Sequence, residues 1–164
     1  MLALLVDATA LPAYDLGPEH PFARDRQLPL FDLMRRSGLY TDAELLHPHP
    51  ASSEELQTVH RADYVELLMA LDHGHDREIV AHAPRYGMGT ADNPIEPGQH
   101  AGAAAVAGAT LDCVRAVIEG RADAAFNPAG GLHPAMPAAA SGFCISNDCA
   151  IGIVEARRRG VERV

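Results

Sequence analysis

The stretch "NPAGGLHPAMPAAASGFCISND", residues 127–148, is poor in charge, rich in small residues, and holds a single histidine between Leu132 and Pro134. Two glycines precede His133, and glycine lets a backbone turn sharply or approach a neighbour closely. An imidazole there is open to four roles: general base, electrostatic aid, metal ligand, or hydrogen-bonded structural side chain. One histidine in a glycine-rich loop does not choose among them, so the reading moves outward along the chain.

On its amino-terminal side the loop follows "ADAAF" (122–126), which reads as a strand. On the other side "DCAIGIVEARRRG" (148–160) reads as a helix. Asn147 is placed as its N-cap, three arginines suit the negative end of its dipole, and Gly160 ends it. Further out, "LALLVDA" (2–8) is a short apolar run expected of a buried strand. "RQLPLFDLMRRSG" predicts a helix, with Pro29 near its start, Leu30, Leu33 and Met34 at helical spacing, and Gly38 as its stop. Ser52 and Glu55 have capping-box spacing, and Tyr64, Leu67, Leu68 and Leu71 make one apolar helical face. "QHAGAAAVAGATLDCVRAVIEG" (99–120) predicts a close-packing helix capped by Gly120, and "VERV" (161–164) the first residues of another strand. Buried strands alternating with helices give an α/β domain with a mainly parallel sheet. Ligands collect at the carboxyl ends of such strands, and the loop after "ADAAF" leaves from one.

At 164 residues and 17.4 kDa the chain reads as one domain able to bury a core. A net charge of −9 argues against nucleic acid and against an anionic membrane surface as partners. The cysteines Cys113, Cys144 and Cys149 form no Cys-x-x-Cys pair, and an odd count suits a reducing, cytoplasmic compartment. The apolar opening lacks a basic region and is broken by Asp7, so a strand is expected there rather than a signal peptide. No apolar segment is expected to reach membrane-spanning length.

Other candidates each carry two readings. "DHGHD" (72–76), with His73 and His75, is either a metal cluster or a solvated surface turn; "HPHP" (47–50) is a turn. Asp92 lies in "APRYGMGTADNPIEPG" (83–98), a loop long enough to suggest function. Its carboxylate either closes an Asx-turn or projects over a pocket rim to accept substrate N–H groups. Arg26 is a helix-start residue or a buried cation on an anion path. A Cys–His hydrolase, with Cys144 or Cys149 set against His133, is the least favoured option.

Several segments, in order, resemble the histone deacetylase superfamily, and most closely the bacterial acetoin utilization proteins and class I deacetylases. "YDLGPEHPFARDRQLPLFDLMRRSGLY" is similar to the family's opening, and "SSEELQTVHRADYVELL" to its His-x-x-Asp-Tyr segment. "YGMGTADNPIEPG" is similar to the loop with the substrate-binding aspartate. "NPAGGLHPAMPAAASGFCISNDCAIGI" resembles the diagnostic Gly-Gly-Leu-His-His-Ala … Ser-Gly-Phe-Cys-x-x-Asn-Asp segment. The resemblance implies a three-layer arginase/deacetylase-like fold and zinc-dependent hydrolysis of an acetylated amine or acetyl-lysine. It implies that Asp92 holds substrate backbone at the rim, that Gly142 and Phe143 line the acyl channel, and that Arg26 sits on the acetate path. His133 would be the first of two tandem histidines.

The family pattern is broken at Pro134, which stands where the second histidine, the usual proton shuttle, is expected. The family's zinc ligands, an Asp-x-His and a later Asp, and its catalytic Tyr follow a helix like 148–159; the sequence reaches Val164 before any of them. The expectation is therefore a single partial domain, 1–164, truncated on the carboxyl side, with no metal ligands recognisable and inactive alone. The alternatives are a non-catalytic acyl-ligand-binding module, half of a split enzyme completed by a complementary carboxyl-terminal half, or another hydrolase on the ureohydrolase scaffold.

Overall fold

The computed structural model describes residues 2–7, 14–22, 27–41, 44–73 and 76–164. Three short strands among them form a parallel sheet in the order β2-β1-β3: β1 (Ala3–Val6) in the centre, β2 (Leu45–Leu46) on one side and β3 (Ala124–Phe126) on the other. Leu5 faces Leu45 across one ladder and Phe126 across the other. The helices are α1 (Gln27–Arg36), α2 (Ser53–Leu56), α3 (Ala62–His73), α4 (Arg77–His82), α5 (Gln99–Ile118) and α6 (Asp148–Arg158), with a 3-10 turn at Ala83–Tyr86.

Helix boundaries follow local chemistry. Ser52 and Glu55 form the expected reciprocal capping box, and the Asn147 side chain accepts from the Ala150 N–H at the start of α6. Gly38, Gly120 and Gly160, all at positive φ, end α1, α5 and α6. Each is followed by an N–H reaching back to a last-turn carbonyl: Leu39 to Met34, Arg121 to Ala116, Val161 to Ala156. Residues 161–164 are expected to begin a strand; instead the Val161 N–H completes this cap on α6, and the four residues pair with no described strand.

α5 is the platform. Ala103, Ala105, Val106 and Ala109 face a core shared with Val6, Tyr64, Leu68, Leu71 and Met88, while Ala104, Ala107 and Leu111 face Ala51, Leu56, Val65 and Ile151. The expectation that no segment reaches membrane length does not hold for α5. It spans 20 residues with a mean hydropathy of 1.5 over its most apolar stretch, 61% of which is buried inside the protein. Its apolarity reflects core on two faces. β3, by contrast, is an edge, and Phe126 is 51% exposed.

Residues 49–51 cross α5 at Gly108. The Ala51 N–H donates to Ala104 O at 2.8 Å, and a Cβ at 108 would collide with the carbonyl of His49 and lie 2.6 Å from Ala51 N. Helix propensity alone favours Gly108→Ala by about 1 kcal/mol, whereas overpacking against backbone costs about 1–3 kcal/mol or more. The expected result is a net loss, read as a lower urea midpoint at unchanged slope. A higher midpoint would show that the crossing has room.

Candidate functional site

The loop 127–147 is shaped around one buried carboxylate. Asp148, the first residue of α6, is 1% exposed. Its Oδ1 accepts the Leu132 N–H at 2.6 Å, and its Oδ2 accepts the Thr110 hydroxyl at 2.6 Å and the Gly131 N–H at 3.2 Å. The glycines are explained by this. A Cβ at Gly130 would stand 2.8 Å from Asp148 Oδ2 and 2.9 Å from Asn127 Nδ2, and Gly131 holds φ +91°. The loop therefore turns tightly over the carboxylate and delivers an exposed His133 side chain, while Asn147 Nδ2 donates to the carbonyls of His133 (2.7 Å) and Ala135 (3.0 Å).

Gly142 and Phe143 are the central residues of a two-residue turn closed by paired hydrogen bonds between Ser141 and Cys144. Both have positive φ, +50° and +71°, the signature of a type I′ hairpin. A phenylalanine there is strained, and its surroundings hold it. The buried Tyr14 hydroxyl donates to Phe143 O at 2.6 Å and accepts the Ile145 N–H at 3.2 Å. Tyr64 donates to Ile145 O at 2.8 Å. The His20 ring meets Phe143 edge-on at 4.7 Å.

The loop bearing Asp92 is brought alongside by Ala140, whose N–H donates to Tyr86 O at 2.8 Å; Gly87 packs so tightly on the Ala140 carbonyl that a Cβ would collide with it. Asp92 and Gly142 thereby line one open groove of roughly 400 Å³, with Gly87, Thr90, Asn93 and Ser141. The Asx-turn reading of Asp92 is not what forms. Thr90 Oγ1 accepts the Asn93 N–H at 3.0 Å, the N–H groups of Gly89 and Thr90 donate to Asn93 O, and the Asp92 carboxylate is left exposed. Pro134 backs the wall: a Cβ on Gly142 would lie 3.2 Å from Pro134 Cβ.

Other candidates fall elsewhere. Asp72 is neither metal ligand nor solvated turn, because its two oxygens accept the N–H groups of His100 and Ala101, both at 2.9 Å, at the start of α5. Asp76 caps α4 through the Glu78 N–H. His73 is exposed, and Arg26 and His75 lie outside the described residues. Burial pushes the Cys144 thiol up to about 11, and burial with the nearby Asp148 raises Cys149 as well, which removes the thiolate a cysteine nucleophile needs. Among the described residues no three His, Cys, Asp or Glu side chains converge to hold a metal ion. The zinc that the resemblance implies does not fit the donor set of the described residues.

Tyr14, Asp148 and His60 carry the loop's geometry without having been singled out as site residues in the sequence. The available signal was their place inside the family-like segments: Tyr14 opens the first, His60 begins His-x-x-Asp-Tyr, and Asp148 closes Asn-Asp.

The architecture is an α/β domain in which a glycine-shaped loop, between a parallel strand and a capped helix, is faced by the exposed carboxylate of Asp92 on a neighbouring loop. The Histone deacetylase domain model matches residues 20–164, and the chain belongs to that family. It is 33% identical over 162 residues to acetoin utilization protein AcuC of Bacillus subtilis (strain 168), covering 99% of this chain and 41% of that protein. It is 34% identical over 139 residues to histone deacetylase 9 of Arabidopsis thaliana, covering 85% of this chain and 32% of that one. The crystal structure of an HDAC homolog from Aquifex aeolicus matches with a TM-score of 0.80 at 29% identity, covering 99% of this chain and 43% of that one. A structure of an HDAC homolog complexed with SAHA matches equally. The α/β deacetylase-like fold expected from the sequence is thus shown, and the chain spans less than half the length of these relatives.

Asp148→Asn keeps the volume but turns an amide NH2 toward N–H and O–H donors. Hydrogen bonds to a charged acceptor contribute about 1.5–3 kcal/mol each, so a loss at or above that range is expected in urea denaturation. Tyr14→Phe, which orphans the Ile145 N–H, should cost less, about 1–2 kcal/mol. Equal or reversed costs would mean that the loop is not organised on Asp148.

Proposed function

We propose that this chain supplies the substrate-binding wall of a zinc-dependent deacetylase-type amidohydrolase acting on an acetylated amine such as acetyl-lysine. The observation that carries the reading is the shared groove of Asp92 and Gly142. Asp92 accepts substrate N–H groups at the rim by charge-assisted hydrogen bonds. The Gly142–Phe143 turn forms the side of a narrow channel for the acyl chain. His133 is the loop's one imidazole able to hold or move a proton beside the reacting amide. Zinc belongs on residues other than those described, so the working unit includes a complementary carboxyl-terminal half, in the cytoplasm. The acyl group and its carrier follow from contacts that half would complete.

Pro134 favours a second reading. Proline cannot titrate, so the same groove serves a module that binds acylated ligands without hydrolysing them.

The two readings separate in a hybrid. This chain is co-expressed with the carboxyl-terminal half of a related deacetylase, zinc uptake is verified by elemental analysis, and turnover of an acetyl-lysine reporter is compared with that of the Pro134→His form. A positioned general base contributes about 10²–10⁴-fold in rate. The histidine form should therefore be at least about a hundredfold faster in kcat with little change in KM, and Asp92→Ala should mainly raise KM. Equal rates for the proline and histidine forms would assign the base to His133 or another group. Binding without turnover in both forms would favour the non-catalytic module.

A further inference from the structure

His60 lies between α2 and α3, is 3% exposed, and does not line the groove. Both of its ring nitrogens are engaged: Nδ1 stands 3.1 Å from Met136 O, and Nε2 accepts the Asn147 N–H at 2.9 Å. A carbonyl can only accept and a backbone N–H can only donate. One state satisfies both, the neutral ring with its proton on Nδ1. Asn147, held by its backbone, then uses its side chain three ways: Nδ2 donates to the carbonyls of His133 and Ala135, and Oδ1 accepts the Ala150 N–H. Between them His60 and Asn147 hold the carbonyls of residues 133, 135 and 136, on both sides of Pro134.

We infer that His60 is the positioning residue of the His133–Pro134 segment, and that it works only as the neutral, Nδ1-protonated ring. Protonation would turn an N–H of the imidazolium against the N–H of Asn147 and release the strap. The consequence for catalysis rests on the reading proposed above; the positioning itself does not.

The surroundings favour the neutral form. Burial, opposed by the carbonyls of Met136 and Pro137, holds His60 below the ordinary histidine value. Tyr64 on α3, its ring 5.6 Å away, is a buried phenol whose own ionisation is pushed upward. Arg61 and Asp63 are paired with each other at 2.7 Å at the surface. Asp148, next to Asn147, has its oxygens on Thr110, Gly131 and Leu132. Among the described residues no counter-ion is therefore in place for a charged ring. With the folded value below the unfolded value of about 6.5, the stabilisation is present above that pH and is lost as pH falls through the folded value.

The test is NMR on the labelled full chain, in wild type, His60→Gln and His60→Phe. Glutamine can accept from Asn147 and donate to Met136 but does not titrate. In wild type, the Asn147 backbone N–H, its side-chain NH2 and the Ala135 amide should shift together with the His60 ring as pH falls below about 6.5. His60→Gln should keep the high-pH spectrum of the loop and lose the titration. His60→Phe should show the released loop at every pH, with amide exchange at residues 132, 133, 135 and 136 faster by about fivefold to a hundredfold, as loss of two hydrogen bonds gives. An unchanged loop in His60→Phe, or an Asn147 titration that persists in His60→Gln, overturns the inference. Should the phenylalanine form fail to fold, the wild-type and glutamine titrations decide alone. None of these readouts needs turnover, so an inactive hybrid would remove the deacetylase reading and leave the role of His60 standing.

Discussion

The Asp148 carboxylate is the contact on which the site is assembled. An ionised group this deeply buried is costly unless its oxygens are fully engaged. Here the donors come from three places: Thr110 on α5, and the N–H groups of Gly131 and Leu132 in the loop. The position at the start of α6 adds the favourable end of the helix dipole. Asn127 extends the arrangement, its Nδ2 donating to Thr110 Oγ1 at 3.0 Å and to Val106 O at 3.1 Å. The loop is thereby fixed to two helices through polar contacts, alongside the few large side chains it buries, Leu132 and Ile145. Its sequence can then be almost all small residues and still have one shape.

That arrangement needs α5 and α6 close together. Gly152 provides the approach, since a Cβ there would lie 3.1 Å from Thr110 Cγ2. Arg115 on α5 then bridges Glu155 on α6 (2.8 Å) and Glu55 on α2 (2.7 Å). Arg159 joins Glu155 and Glu119. These groups are partly exposed, and such pairs individually contribute little. Together they tie the outer faces of α5, α6 and α2 beside the packed Gly152 contact.

Legibility in the sequence follows the range of the interaction. The Ser52–Glu55 box, the Asn147 cap and the stop glycines could be read because donor and acceptor lie within one turn of each other. The parallel sheet could be read because buried runs alternate with helical periods. The acidic turn "DHGHD" was open to a metal reading because the partners of Asp72, the N–H groups of His100 and Ala101, lie 28 and 29 positions on. Tyr14 and Phe143 are separated by 129 positions and His60 and Asn147 by 87, and no local pattern predicts either pair. "VERV" misled for the opposite reason: an apolar residue after a helix reads as a strand start, but the Val161 N–H is taken by the helix it follows.

Pro134 acquires a physical sense in this frame. Its ring packs against Gly142, where a Cβ on the glycine would stand only 3.2 Å from Pro134 Cβ. Its fixed φ stiffens a segment whose flanking carbonyls are both taken by Asn147. Proline has no N–H to satisfy, so its backbone adds no donor to a loop already saturated by Asp148 and Asn147. What an imidazole would add at this position is proton transfer; what the proline adds is rigidity in the wall of the groove. The features that shape a binding wall — the carboxylate-held loop, the clamped Phe143 turn and the exposed Asp92 — use none of the atoms that a histidine at 134 would contribute. The shape of the wall and the proton chemistry of an imidazole at 134 are therefore separable in this fold.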